Sequence, residues 1–89
     1  MTEQIQKIEE SLETLDLPKL ITKEDIKNQY HFLAKKYHPD VGGDMQKMER
    51  INEAYRTLMK YIEEFRYTFD SEEISKQFPE VDYVKQHRP

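Results

Sequence analysis

Two side chains in this 89-residue chain stand close enough in sequence to do chemistry together, His38 and Asp40, separated only by Pro39. An imidazole and a carboxylate two residues apart can act as an acid–base pair or supply two ligands to a metal ion. Neither use finds its remaining parts. No third ligand lies nearby in the sequence, and no nucleophile has a base partner. The chain contains no cysteine, so thiolate sites and disulfides are excluded. A chain of this length folds as one small domain with a modest core and little volume for a deep pocket. The expectation is a protein without catalytic residues, metal or cofactor.

Composition excludes further classes. The net charge is −4 and charged residues make up 36% of the chain. An acidic chain without a nucleic-acid motif is a poor match for a phosphate backbone, so no nucleic-acid role is expected. No apolar run approaches the roughly 20 residues needed to cross a bilayer. The polar start, Met1 to Lys7, does not read as a signal peptide. A cytoplasmic protein without a membrane role is expected. The charge is uneven. Residues 23–40 carry four lysines against three acids, while residues 1–22 carry two lysines against five acids. The segment that ends in Asp40 is the locally basic one.

The elements that must position the tripeptide are helical. Ile5, Ile8, Leu12 and Leu15 recur at spacings of 3, 4 and 3 and predict a first helix over about 3–15. Leu17-Pro18 ends it. Thr22, followed three residues later by Asp25, is a capping-box pattern. It predicts a second helix over about 23–37, with Ile26, Tyr30, Leu33 and Tyr37 on its apolar face. Pro39 disfavours helical geometry at His38 and stops this helix. Asp44 is placed to cap a third helix, predicted over about 45–66. Met48, Ile51, Tyr55, Leu58, Ile62 and Phe65 form its long stripe. Helices two and three, joined by a short loop, predict an antiparallel hairpin with the tripeptide at its tip. Helix one covers the open side. Asp70 or Ser71 caps a short helix over about 72–78, ending before Pro79, with Ile74 and Phe78 folded back on helix three. Val81 to Pro89 have no clear period. The class is all-α.

Tyr37-His38-Pro39-Asp40, with Leu33-Ala34-Lys35-Lys36 before it and Ile51-Asn52-Glu53-Ala54-Tyr55 after it, resembles the J-domain family named for the bacterial co-chaperone DnaJ. The resemblance is strongest over residues 8–62. It implies a J domain over 1–69 and a C-terminal extension over 70–89. It also implies that the protein binds a DnaK-class heat-shock chaperone and stimulates its ATP hydrolysis. Carried over, Asp40 would pair with an arginine of the partner, and His38 and Pro39 would shape the docking surface. Lys27, Tyr30, His31 and Lys35 would occupy the partner-facing side of helix two. Lys27, His31 and Lys35 also form a stripe of their own at four-residue spacing.

Several residues depart from the family's usual pattern. Phe32 stands where a basic residue is common. Ser11 and Leu12 replace frequent tyrosines, and Asp16 replaces the usual glycine after helix one. The family's fourth-helix signature gives way to the aromatic run Tyr61 to Phe69. No Gly/Phe-rich linker or zinc module accompanies the motif, which suits a J-domain-only member. The competing expectation is a helical adaptor acting through helix three and the C-terminal segment without ATPase stimulation. In either case residues 61–89 could take a further protein partner.

Overall fold

The computed structural model describes residues 2–78. The described chain is helical: α1 (Thr2–Thr14), α2 (Lys23–Tyr37), a 3₁₀ turn (Pro39–Val41), α3 (Met45–Glu63) and α4 (Ser71–Gln77). The anticipated stop at Pro79 and the tail from Val81 to Pro89 lie outside the described residues.

Local chemistry sets most of the helix ends. Thr22 accepts from the Asp25 amide at 3.1 Å, and Asp25 returns the bond to the Thr22 amide at 2.9 Å. Both halves of the capping box are therefore closed, satisfying two donors that a helix start leaves open. Asp44 caps α3 by accepting from the Gln46 and Lys47 amides at 2.9 and 3.3 Å. At the end of α1, Asp16 takes a left-handed conformation, φ 56°. The Leu17 amide then donates to Leu12 and the Asp16 amide to Glu13, at 2.8 and 3.0 Å. This pairing closes the last turn in the manner usually served by glycine. Asp is among the few non-glycine residues that tolerate the conformation.

α3 is the central element and packs against both α1 and α2. The core consists of Leu15, Ile26, Met48, Ile51, Ala54 and Leu58, with Leu33, Tyr37, Tyr55 and Ile62 partly buried around it. Ala54 replaces Tyr55 as the deeply buried residue of its turn, because a small side chain lets the neighbouring helices approach. Ser11 is buried and its hydroxyl donates to the Lys7 carbonyl at 2.9 Å. Small side chains thus stand on both α1 and α3.

Two expectations need correction at the C-terminal end. α3 stops at Glu63 rather than near 66. The Glu64 amide closes on Lys60 and Ile62 carbonyls, and the chain leaves the helix. Phe65 and Ile5, the outer members of the two stripes, remain exposed. Each stripe extends past the helix that would cover it, so continuing α3 would gain no burial to offset the cost of ordering it. α4 spans Ser71–Gln77, displaced by one residue from the expected 72–78, and Asp70 is its cap. Ile74 and Phe78 do not fold back; both stay exposed. A seven-residue helix with Ile74 on it and Phe78 just after it offers little apolar area against a seven-residue connector. The Glu73 amide and the Thr68 hydroxyl both donate to Asp70 and hold its carboxyl below the usual range.

A capped tip between two helices

The tripeptide occupies the turn between α2 and α3. His38 is extended, φ −63° and ψ 137°, and its amide still closes the last turn of α2 on Ala34 at 2.9 Å. Pro39 is the first residue of the 3₁₀ turn, where its missing N–H costs nothing and its fixed φ is already suitable. The His38 carbonyl accepts from Val41 and Gly43 at 3.1 and 3.0 Å, and the Pro39 carbonyl accepts from Gly42 at 3.0 Å. The tip is therefore a closed hydrogen-bonded unit between two capped helices.

The two glycines serve different ends. Gly42 adopts φ 80°, a left-handed conformation that reverses the chain. Gly43 lies against the backbone of Tyr37, and a β-carbon there would overlap the Tyr37 carbonyl group and α-carbon. Backbone cannot yield as a flexible side chain can. Gly43→Ala is expected to open the turn: the Gly43 amide loses its hydrogen-exchange protection, and thermal stability falls by about 1–3 kcal/mol.

His38, Pro39 and Asp40 are all exposed. The Asp40 side chain is 89% accessible and that of His38 50%. His38 Nδ1 accepts from the Asp40 amide at 3.1 Å and lies 3.6 Å from Asp40 Oδ2. Val41 and Met45, both exposed, add apolar surface beside the motif.

Of the other sequence-predicted residues, Lys27, His31 and Lys35 follow one another along α2, with His31 and Lys35 exposed and Lys27 half-buried. Lys23, at the first position of α2, stands one turn before Lys27 and was missed, although its spacing repeats that of the stripe. Tyr30 is half-buried and reaches α3. Its hydroxyl donates to Asn52 Oδ1 at 2.7 Å and its ring stacks on Tyr55 at 4.2 Å between centroids. Tyr30 therefore ties α2 to α3 and leaves its ring tilted against His31. Phe32 is exposed on α2 and borders a shallow depression formed with Leu17, Pro18, Leu20 and Ile21.

A cation pair beside the tip was also missed. Lys36 and Lys47 place their ammonium groups 5.3 and 4.6 Å from the Tyr37 ring centre. Desolvation raises the phenol, but Lys36 and Lys47 outweigh it and leave Tyr37 below the usual phenol range. Lys47 lies ten residues further along the chain, so only the turn between the helices brings it to this ring.

Among the described residues, no three His, Asp or Glu side chains gather in a way that could hold a metal ion. No described helix is long and apolar enough to cross a membrane. The fold and tip define a class: a small helical hairpin that presents an exposed tripeptide on a turn closed by backbone hydrogen bonds, with Lys36 and Lys47 at the adjoining Tyr37 ring.

The family comparison is specific. The DnaJ-domain description matches residues 10–70, and the chain belongs to that family. The small t antigen of Budgerigar fledgling disease virus is 52% identical over 56 residues, covering 63% of this chain and 34% of that protein. The chaperone protein DnaJ of Rippkaea orientalis is 41% identical over 58 residues, covering 62% of this chain and 16% of that protein. The rice chaperone protein dnaJ A6 is 41% identical over 46 residues, covering 52% of this chain and 11% of that protein. The chain thus spans about a third or less of these relatives. No solved structure matches it.

Proposed function

We propose that this protein is a J-domain co-chaperone that docks on a DnaK-class heat-shock chaperone and stimulates its ATP hydrolysis. The observation that carries this reading is the tip itself. His38, Pro39 and Asp40 stand exposed on a turn closed by its own backbone bonds, beside the Lys27–His31–Lys35 stripe of α2. Family membership supports the same reading, as does the likeness to proteins named as DnaJ chaperones.

The protein supplies no reacting group in this role. It acts by binding one conformation of its partner more tightly than another, and that difference sets how far the partner's equilibrium shifts. Asp40 contributes a charge for a cationic site. The lysines of α2 raise the encounter rate with an acidic groove more than they raise final affinity. In single-turnover ATP hydrolysis by a cognate chaperone of this class, substoichiometric protein is expected to raise the rate at least about tenfold, equivalent to roughly 1.4 kcal/mol of barrier. A folded wild-type chain that is inert toward every chaperone of this class in its host would refute the proposal.

One observation favours a second, compatible reading as an adaptor. Tyr61, Phe65 and Tyr67 contact one another edge to face at 5.6 and 5.2 Å while remaining exposed, and Phe69 is exposed beyond them. Contiguous exposed aromatics of this kind mark interaction surfaces. They lie at the far end of α3 from the tip, so a protein held there would leave the tip accessible. A complex that survives loss of the tip would separate this role from the first.

A further inference from the structure

His38 is the one member of the tip whose ring makes a directed bond inside the turn. Its Nδ1 accepts from the Asp40 amide at 3.1 Å. A ring nitrogen that accepts a hydrogen bond carries no proton, so the neutral ring holds its proton on Nε2. The same Nδ1 lies 3.6 Å from Asp40 Oδ2. With a lone pair facing it, the carboxylate finds no donor on the ring, and the Asp40 side chain stays 89% accessible. Protonation reverses both contacts. A protonated Nδ1 has no lone pair with which to accept from the Asp40 amide. It faces instead a carboxylate oxygen only a few tenths of an ångström beyond hydrogen-bond distance.

We propose that His38 is the positioning residue of the tip and makes docking proton-sensitive: the neutral ring caps the Asp40 amide and leaves the Asp40 carboxylate free for a cationic partner, whereas the protonated ring releases the amide and takes the carboxylate. The proposal rests on the docking role given above and supplies a regulation for it. It also accounts for histidine before proline, which helix termination alone does not require.

The surrounding charges do not substitute for Asp40. Lys35 and Lys36 belong to the last turn of α2, and Lys36 lies over Tyr37. From α3, Lys47 is held against the same ring, and Asp44 is engaged with the Gln46 and Lys47 amides. Among the described residues, Asp40 is the only acid within 4.0 Å of the His38 ring nitrogens.

Two substitutions divide the ring into its parts. The amide oxygen of Asn can reach the place of Nδ1 and accept from Asp40, but it cannot take up a proton. The amide of Gln reaches toward the place of Nε2 and leaves no acceptor at Nδ1. The test measures ATPase stimulation, relative to the chaperone's basal rate at each pH, for wild type, His38→Asn and His38→Gln. It is run from about pH 7.5 to about pH 5.5. The free wild-type domain is studied in parallel by nitrogen–proton NMR of its imidazoles.

Wild type is expected to lose about fivefold in stimulation across that span, a modest change suited to an exposed pair. His38→Asn is expected to keep at least about a third of the neutral-pH stimulation and to show a flat profile. His38→Gln is expected to keep less than about a tenth. The NMR spectra should show the Nε2–H form of His38 at neutral pH and an Asp40 amide that shifts as the His38 ring charges. A folded His38→Asn protein as inert as His38→Gln overturns the proposal. A pH profile for His38→Asn that falls as in wild type overturns it too, as does an Nδ1–H ring at neutral pH. A wild-type chain without stimulation at any pH overturns the docking role instead, and the NMR spectra still decide whether His38 caps Asp40.

Discussion

Asp40→Asn should remove at least about nine-tenths of the ATPase stimulation while leaving the helical content and the unfolding midpoint almost unchanged. The side chain is 89% accessible, so its replacement disturbs little packing. Exposed substitutions of this kind shift stability by about 0.5 kcal/mol or less. Asn preserves shape and removes the charge. If that charge meets a cation in a desolvated contact, truncating it costs about 2–5 kcal/mol and acts through the dissociation rate. Even the lower figure exceeds a factor of ten. The measurement is the concentration dependence of single-turnover hydrolysis, paired with circular dichroism of the same samples. Equal stimulation by the folded Asn variant would show that the carboxylate is not used.

Leu15→Ala is expected to have the largest effect on stability, although Leu15 is no part of the tip. It is 0% exposed and sits immediately after α1, where its carbonyl also accepts from Gln29 at 2.9 Å. Removing a buried leucine side chain costs the lost transfer energy and leaves a cavity, about 3–5 kcal/mol together. A domain of this size has a total stability of roughly 4–13 kcal/mol, so the change is a large fraction of it. The midpoint of thermal unfolding should fall by roughly 12 °C or more. Denaturant titration should show an unchanged slope with a lowered midpoint. Stimulation should recover at low temperature, because the tip residues are untouched and only the folded fraction has changed. A midpoint within a few degrees of wild type would mean that α1 contributes little to holding the hairpin.

What could be read from the sequence follows the range of the forces involved. The ends of α2 and the start of α3 were legible because their determinants are local. Thr22 with Asp25, Pro39, and Asp44 each act on amides or ring geometry within three residues. The tip was legible for the same reason: a proline between two capped helices fixes where the chain turns. The apolar spacing likewise identified Leu15, Ile26, Met48, Ile51 and Leu58 as core. The C-terminal part was not legible. Periodicity states which residues share a face, but not how far the opposing helix extends. Phe65 and Ile5 keep the period and remain exposed because nothing covers those ends. Ile74 on α4 and Phe78 just after it have the right spacing, but both remain exposed.

The same limit applies around the tip. The sequence by itself determined that His38 and Asp40 stand on one short turn beside a lysine-striped helix. Only the tertiary structure decided that Tyr30 is bound to Asn52, that Lys47 joins Lys36 at the Tyr37 ring, and that Gly43 lies against the Tyr37 backbone. The α2–α3 contacts join residues 22 positions apart for Tyr30 and ten for Lys47, and helical period carries no information across a chain reversal. The orientation of His38 is a smaller instance. Its ring turns toward the Asp40 amide because the 3₁₀ turn begun by Pro39 presents that amide there, a direction set by backbone angles and not by residue type.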